Sequence, residues 1–117
     1  IYDYTKFFRN FFLTSNKILK IMNEKLTAIE LFVIEAVKKR RKIRNMTTRA
    51  LSESIGLEES FVGLVENPKT RTKYNLNHLN EIAKILNCSL ADFLPSSPLP
   101  ENCIKEYKEI QGKKSVF

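Results

Sequence analysis

Residues 46 to 67, MTTRALSESIGLEESFVGLVEN, constrain the fold of this chain more than any other stretch. Thr47 is placed to N-cap a short helical run that carries Leu51 and Ile55 to one side. Gly56 supplies a turn, because glycine alone enters the left-handed backbone region without steric cost. A second helical run then carries Val62 and Val65 inward. Two short helices meeting at a tight turn are the expected product, and the flanking sequence must build the core they sit on.

That geometry is the outline of a helix-turn-helix, in which the second helix lies in the major groove of DNA. Composition agrees with a small helical protein. With 117 residues and 43% hydrophobic content, the chain can bury one modest core and carry extensions. Three glycines and four prolines are few for a β-rich or disordered chain. The formal net charge of +7 points to a polyanionic partner without naming one.

The organised part begins near Thr27, where Thr27 and Glu30 form the capping-box spacing at the head of a long helix reaching about Arg44. Ile29, Phe32, Val33, Ala36, Val37 and Ile43 make its inward stripe. Its end carries KKRRKIR, residues 38 to 44, with six positive charges in seven residues. Cations there suit the helix dipole as a solvated end, and they also suit phosphate. After Asn67 the polar loop PKTRTKYN sets Lys69, Arg71 and Lys73 on alternate positions, with Pro68 opposing helix continuation. Asn75 caps a helix over Leu76 to Leu86 with Leu79, Ile82, Ala83 and Leu86 on one face, and Asn87 suits its left-handed end. Ser89 and Asp92 cap a last short helix, LADFL, whose Leu90, Phe93 and Leu94 close the core before Pro95.

Five helices with short links make an all-α, compact domain over residues 26–95. Residues 1–25 form an extension rich in aromatics and basic groups, and residues 96–117 form a linker, SSPLP, and a basic tail. Within that tail ENCIKEYKEIQ has helical spacing, with Ile104, Tyr107 and Ile110 on one side. Phe7, Phe8, Phe11 and Phe12 stand at helical spacing in the N-terminal extension. Three readings of that extension stand open: a packing segment, a membrane-surface helix, or residues upstream of a natural start at Met22.

Catalysis finds no support. His78, near the start of the fourth helix, is the single histidine and reads as an exposed polar residue without a ligand-type neighbour in sequence. Cys88 and Cys103 lack CxxC spacing, so no metal, no cofactor and a reduced, cytoplasmic chain are expected. The three glycines at 56, 63 and 112 cannot build a phosphate loop, and no apolar run is long enough to span a membrane.

From about Glu35 to Pro95 the chain resembles the Cro and phage-repressor-like helix-turn-helix family, also called the XRE family, whose fold is the five-helix lambda-repressor-like domain. The resemblance rests on MTTRALSESIG, FVGLVEN and LNEIAKILNCSLADFL at consistent order and spacing. It implies a bacterial or phage transcription regulator that binds double-stranded DNA, commonly as a homodimer. The alternative it carries is an antitoxin whose main partner is a toxin protein.

The resemblance also assigns roles. Arg41 and Glu66 fall where the family pairs an arginine of the first helix with a glutamate ending the recognition helix. Thr48, with Arg49 beside it, falls where a side chain at the head of the second helix meets a phosphate, and Lys69, Arg71 and Lys73 fall in the loop that follows the backbone. Base-facing positions are Glu58, Glu59, Ser60 and Leu64. Glutamates are unusual there, since in the groove a carboxylate finds its donor in the cytosine amino group. Two further readings of them remain open: acids favoured by the helix dipole, or a face turned to a protein.

Overall fold

The computed structural model describes residues 25–115, and the N-terminal aromatic stripe with Met22 lies outside them. The described residues form five α-helices and one 3-10 turn: α1 Ala28–Ile43, α2 Thr48–Ser54, α3 Phe61–Glu66, α4 Leu76–Leu86, the 3-10 turn Leu90–Phe93, and α5 Cys103–Ser115.

Capping side chains set most of the boundaries. At the head of α1 the Thr27 amide donates to Glu30 Oε1 at 2.9 Å, and the Glu30 amide donates back to the Thr27 hydroxyl at 3.4 Å. Arg40, Arg41 and Lys42 occupy its last turn, where the carbonyl end of the helix favours cations. Asn45, at φ 54, turns the chain out of α1, and the Thr47 hydroxyl accepts from the Ala50 amide at 3.0 Å to start α2. Gly56 takes up φ 76 in the turn between α2 and α3. Asn75 caps α4, and Asn87 ends it in the left-handed region.

His78 differs from its expected role. Its Nδ1 accepts from the Asn75 amide at 3.1 Å while the His78 amide donates to Asn75 Oδ1, completing a capping box. The ring also stacks 4.7 Å from that of Phe61, so the residue is half-buried instead of exposed.

Helix α1 runs through the middle of the domain and buries two sides. Val33, Ala36 and Val37 join Leu51, Val62, Leu79, Ile82, Ala83, Leu86 and Phe93 in the main core. On the other side Leu31, Phe32 and Ile34 pack with Leu26 and Val65, and Phe61, Tyr74 and Leu99 close over them. A single stripe therefore understated the burial of α1. The apolar positions expected at the margins behave the other way: Ile43 is 69% exposed and Leu94 49%, and Leu90 is also exposed, leaving Phe93 alone to plug the end of the core. The 3-10 turn is too short to aim three side chains at one point.

The segment after Pro95 returns to the domain. Leu99 packs into the second cluster, and α5 sets Glu106 Oε1 against the Ala28 amide at 3.1 Å. One of the orphan N–H groups at the head of α1 is thus satisfied from the far end of the chain.

Candidate nucleic-acid interface

The interface is built on the unit α2–turn–α3. A buried serine joins the two helices: Ser52 Oγ donates to the Thr48 carbonyl at 2.8 Å and accepts from the Val62 amide at 2.9 Å. Val62 is the second residue of α3, so its N–H is one of those a helix cannot satisfy internally. Ser60, at the N-cap of α3, makes no side-chain cap, and the Ser52 hydroxyl of α2 satisfies this N–H instead. Sequence reasoning missed Ser52. Its only signal is a small hydroxyl residue next to the inward Leu51.

A second joint fixes the far end of α3. Arg41 Nε donates to Glu66 Oε2 and Nη2 to Glu66 Oε1, both at 2.8 Å, while Nη1 donates to the Met46 carbonyl at 2.6 Å. The Arg41 and Glu66 side chains are 9% and 8% exposed. One guanidinium therefore ties the end of α1, the segment leading into α2 and the end of α3. Tyr74 lies near this joint. Burial, reinforced by the Glu66 carboxylate and partly offset by Arg41, pushes its phenol well above the ordinary value of 10.0. Its hydroxyl is enclosed without a hydrogen-bond partner among the described residues.

The outward face carries the residues expected to meet DNA. Glu58, Glu59 and Ser60 lie just before α3 and are exposed. They form the approach to the helix, in a turn where the Phe61 amide donates to the Glu58 carbonyl at 3.0 Å. The Ser60 carbonyl accepts from the Leu64 amide at 2.9 Å, which sets Ser60 and exposed Leu64 one turn apart on one face. Thr48 opens α2, and a Cβ added at Gly63 would lie 3.7 Å from its Oγ1, an ordinary contact. Helices α2 and α3 thus pack closely at this point.

The charges divide in a way the sequence does not announce. Arg49 Nε donates to Glu53 Oε1 at 3.1 Å, and Arg49 Nη2 meets Glu59 Oε2 at 2.9 Å. Arg40 pairs with Asp92 at 3.4 Å. Lys73, expected at a phosphate, is bonded to Glu30 and lies 5.4 Å from the ring centroid of Tyr107, bracing α1 against α5. Glu30, at the head of α1, and Tyr107 draw it away from the loop tip. Lys69 and Arg71 remain exposed, on a loop that is itself ordered. There the Lys69 amide donates to Asn67 Oδ1 at 2.9 Å and the Thr70 hydroxyl donates to the Leu64 carbonyl. Lys42 and Arg44 are exposed just before α2.

No group of acids, histidine and cysteines that could hold a metal ion occurs among the described residues, and Cys88 and Cys103 are free thiols. No helix among them is long and apolar enough to cross a membrane.

An all-helical domain in which two short helices are locked at a glycine turn, with the outer face of the second left open, defines a helix-turn-helix protein. Residues 36–97, more than half of the chain, match the family model of the Cro/C1-type HTH DNA-binding domain, and the chain belongs to that family. No curated protein and no solved structure matches it.

Proposed function

We propose that this chain is a sequence-specific transcription regulator that lays α3 in the major groove of double-stranded DNA. The observation that carries the reading is the distribution of uncommitted cations. Lys42 and Arg44 just before α2, and Lys69 and Arg71 just after α3, are exposed and have no acid partner among the described residues. They bracket along the chain a face that bears Thr48, Ser60 and Leu64. With six residues, α3 is about 9 Å long, so it presents one or two turns to the groove and leaves the brackets to meet phosphates.

In this reading the four cations and Thr48 supply most of the affinity and set the register, whereas Ser60, Leu64 and the residues around Glu59 choose the sequence. Ser60 can donate or accept, and Leu64 fits a thymine methyl. So small a reading head reaches useful specificity by pairing with a second copy, and a symmetric dimer would place its half-sites about 34 Å apart. Exposed Ile104 and Tyr107 on α5 offer an apolar surface for that pairing. The protein would then act in the cytoplasm of a bacterial or phage-infected cell.

Selection of bound duplexes from a random pool, followed by titration over a range of salt, tests the proposal. An enriched motif of two related halves is expected. The logarithm of affinity should fall with log salt at a slope of roughly −7 for the dimer, if each of the four cations on either copy releases one counterion. Recovery of an unenriched pool with a flat salt response would remove the regulator reading.

A further inference from the structure

We propose that Arg49 reads a guanine, with Glu53 and Glu59 as the positioning residues that aim it. The inference rests on the DNA-binding function proposed above and assigns Arg49 to a base instead of a phosphate.

The argument begins with the donors of one guanidinium. Arginine carries five N–H groups in a rigid plane: one on Nε and two on each Nη. Nε donates to Glu53 Oε1 at 3.1 Å, and the Glu59 carboxylate makes an ion pair with Nη2 at 2.9 Å. Nη1 makes no hydrogen bond or ion pair among the described residues, and the edge it shares with Nη2 carries two parallel N–H groups. Such a fork matches two acceptors side by side, either two phosphate oxygens or O6 and N7 of guanine.

Charge chooses between them. One arginine held by two carboxylates is a unit of net charge −1, with side chains 68%, 55% and 58% exposed for Arg49, Glu53 and Glu59. Bringing that unit against a phosphate sets both carboxylates close to a further negative charge. The Hoogsteen edge of guanine offers the same pair of acceptors without a formal charge. Position agrees, because Glu59 stands immediately before Ser60 at the head of α3, so the pair holds the guanidinium at the groove end of the unit and not at its outer flank. The two glutamates thereby acquire a role that does not require them to face a polyanion unpaired. They are paired with the residue that does the reading and bias its plane toward the groove.

The experiment uses the full chain and the duplex motif it selects. Each guanine of that motif is replaced in turn by 7-deazaguanine, which lacks the N7 acceptor and leaves Watson–Crick pairing intact. For the unaltered chain one such replacement is expected to weaken binding about tenfold. For Arg49→Ala the same replacement should have no effect, and Arg49→Lys should not restore the sensitivity, since an ammonium has no fork. Glu59→Ala should bind all duplexes more tightly, having shed a negative charge, while its sensitivity to that 7-deazaguanine shrinks. A cytosine-reading glutamate would leave the 7-deazaguanine sensitivity whole. Arg49 and Glu59 are surface residues, so unchanged thermal unfolding of the variants accompanies the expected result. If Arg49→Ala instead weakens every duplex alike and lowers the salt slope by about two, one for each copy, Arg49 is a phosphate contact and the proposal falls while the regulator reading stands. If the unaltered chain enriches no motif, both fall together.

Discussion

Two arginine–glutamate pairs in this molecule have nearly the same separation and opposite surroundings. Arg41 and Glu66 meet at 2.8 Å with about one-tenth of each side chain exposed, whereas Arg49 and Glu59 meet at 2.9 Å with more than half exposed. In the first pair every approach is taken: the carboxylate accepts twice and the guanidinium also holds a backbone carbonyl. In the second, water competes for both partners and one edge of the guanidinium stays open. Enclosure and a two-point grip make one pair a structural joint, while exposure leaves the other an adjustable fitting, because the cost of losing a partner depends on what replaces it.

Breaking the buried pair should produce the largest effect. Arg41→Ala leaves Glu66 enclosed and uncompensated and should cost about 3–5 kcal/mol, read as a shift of the urea midpoint with unchanged slope. A loss under about 1 kcal/mol would place this pair in the class of the exposed one. Next comes the other joint of the unit. Ser52→Ala leaves the Val62 amide buried without an acceptor, for an expected loss of about 1–3 kcal/mol, and amide exchange at Val62 should rise more than at Val37 in the core.

Tyr74, beside the buried pair, sharpens the contrast through pH. Its folded pKa is raised by burial, and an ordinary tyrosine titrates near 10.0. The contribution of Tyr74 is therefore fully present below about pH 10 and is lost as pH climbs toward the folded value, because only the unfolded chain ionises freely. Stability measured from about pH 8 to pH 11 should fall along this limb, and Tyr74→Phe should flatten it. The same change removes an enclosed, unpartnered hydroxyl and should raise stability near neutral pH by about 1 kcal/mol. A drop there would mean that the hydroxyl contributes a bond.

Smallest of all should be Arg49→Ala, which is expected to move stability by less than about 1 kcal/mol. A larger loss would erase the distinction between the two pairs.

Much of the framework was legible because it is written in local spacing. Thr27 with Glu30, Thr47, Gly56, Asn75 and Asn87 act on residues within a turn of themselves, and the structure finds each of them at a helix boundary or turn. The apolar faces of α2, α3 and α4 followed from their periods. What could not be read depends on where loops bring distant residues. Glu30 is a cap by its spacing, and nothing in the spacing shows that it also holds Lys73. Leu99 and Glu106 lie in a stretch whose composition reads as linker and tail, and their partners, the second apolar cluster and the Ala28 amide, are remote in sequence.

His78 was legible in principle, since N-x-x-H fits a capping box, but a lone histidine draws attention to metals first. At the interface, the resemblance suggested Arg41 with Glu66, and the structure places them in contact. It offered no hint that Arg49 and Glu59, ten positions apart and expected at different parts of the duplex, would form an ion pair.

Ser52 has a consequence for how such a protein diversifies. A helix usually draws its start signal from the residue just before it, and that residue is then hard to replace. Here the hydroxyl that satisfies Val62 comes from the neighbouring helix, and the side chains at 58 to 60 carry no such duty. Substitution of those three side chains leaves that bond in place, so the approach to α3 can vary while the start of the helix is kept.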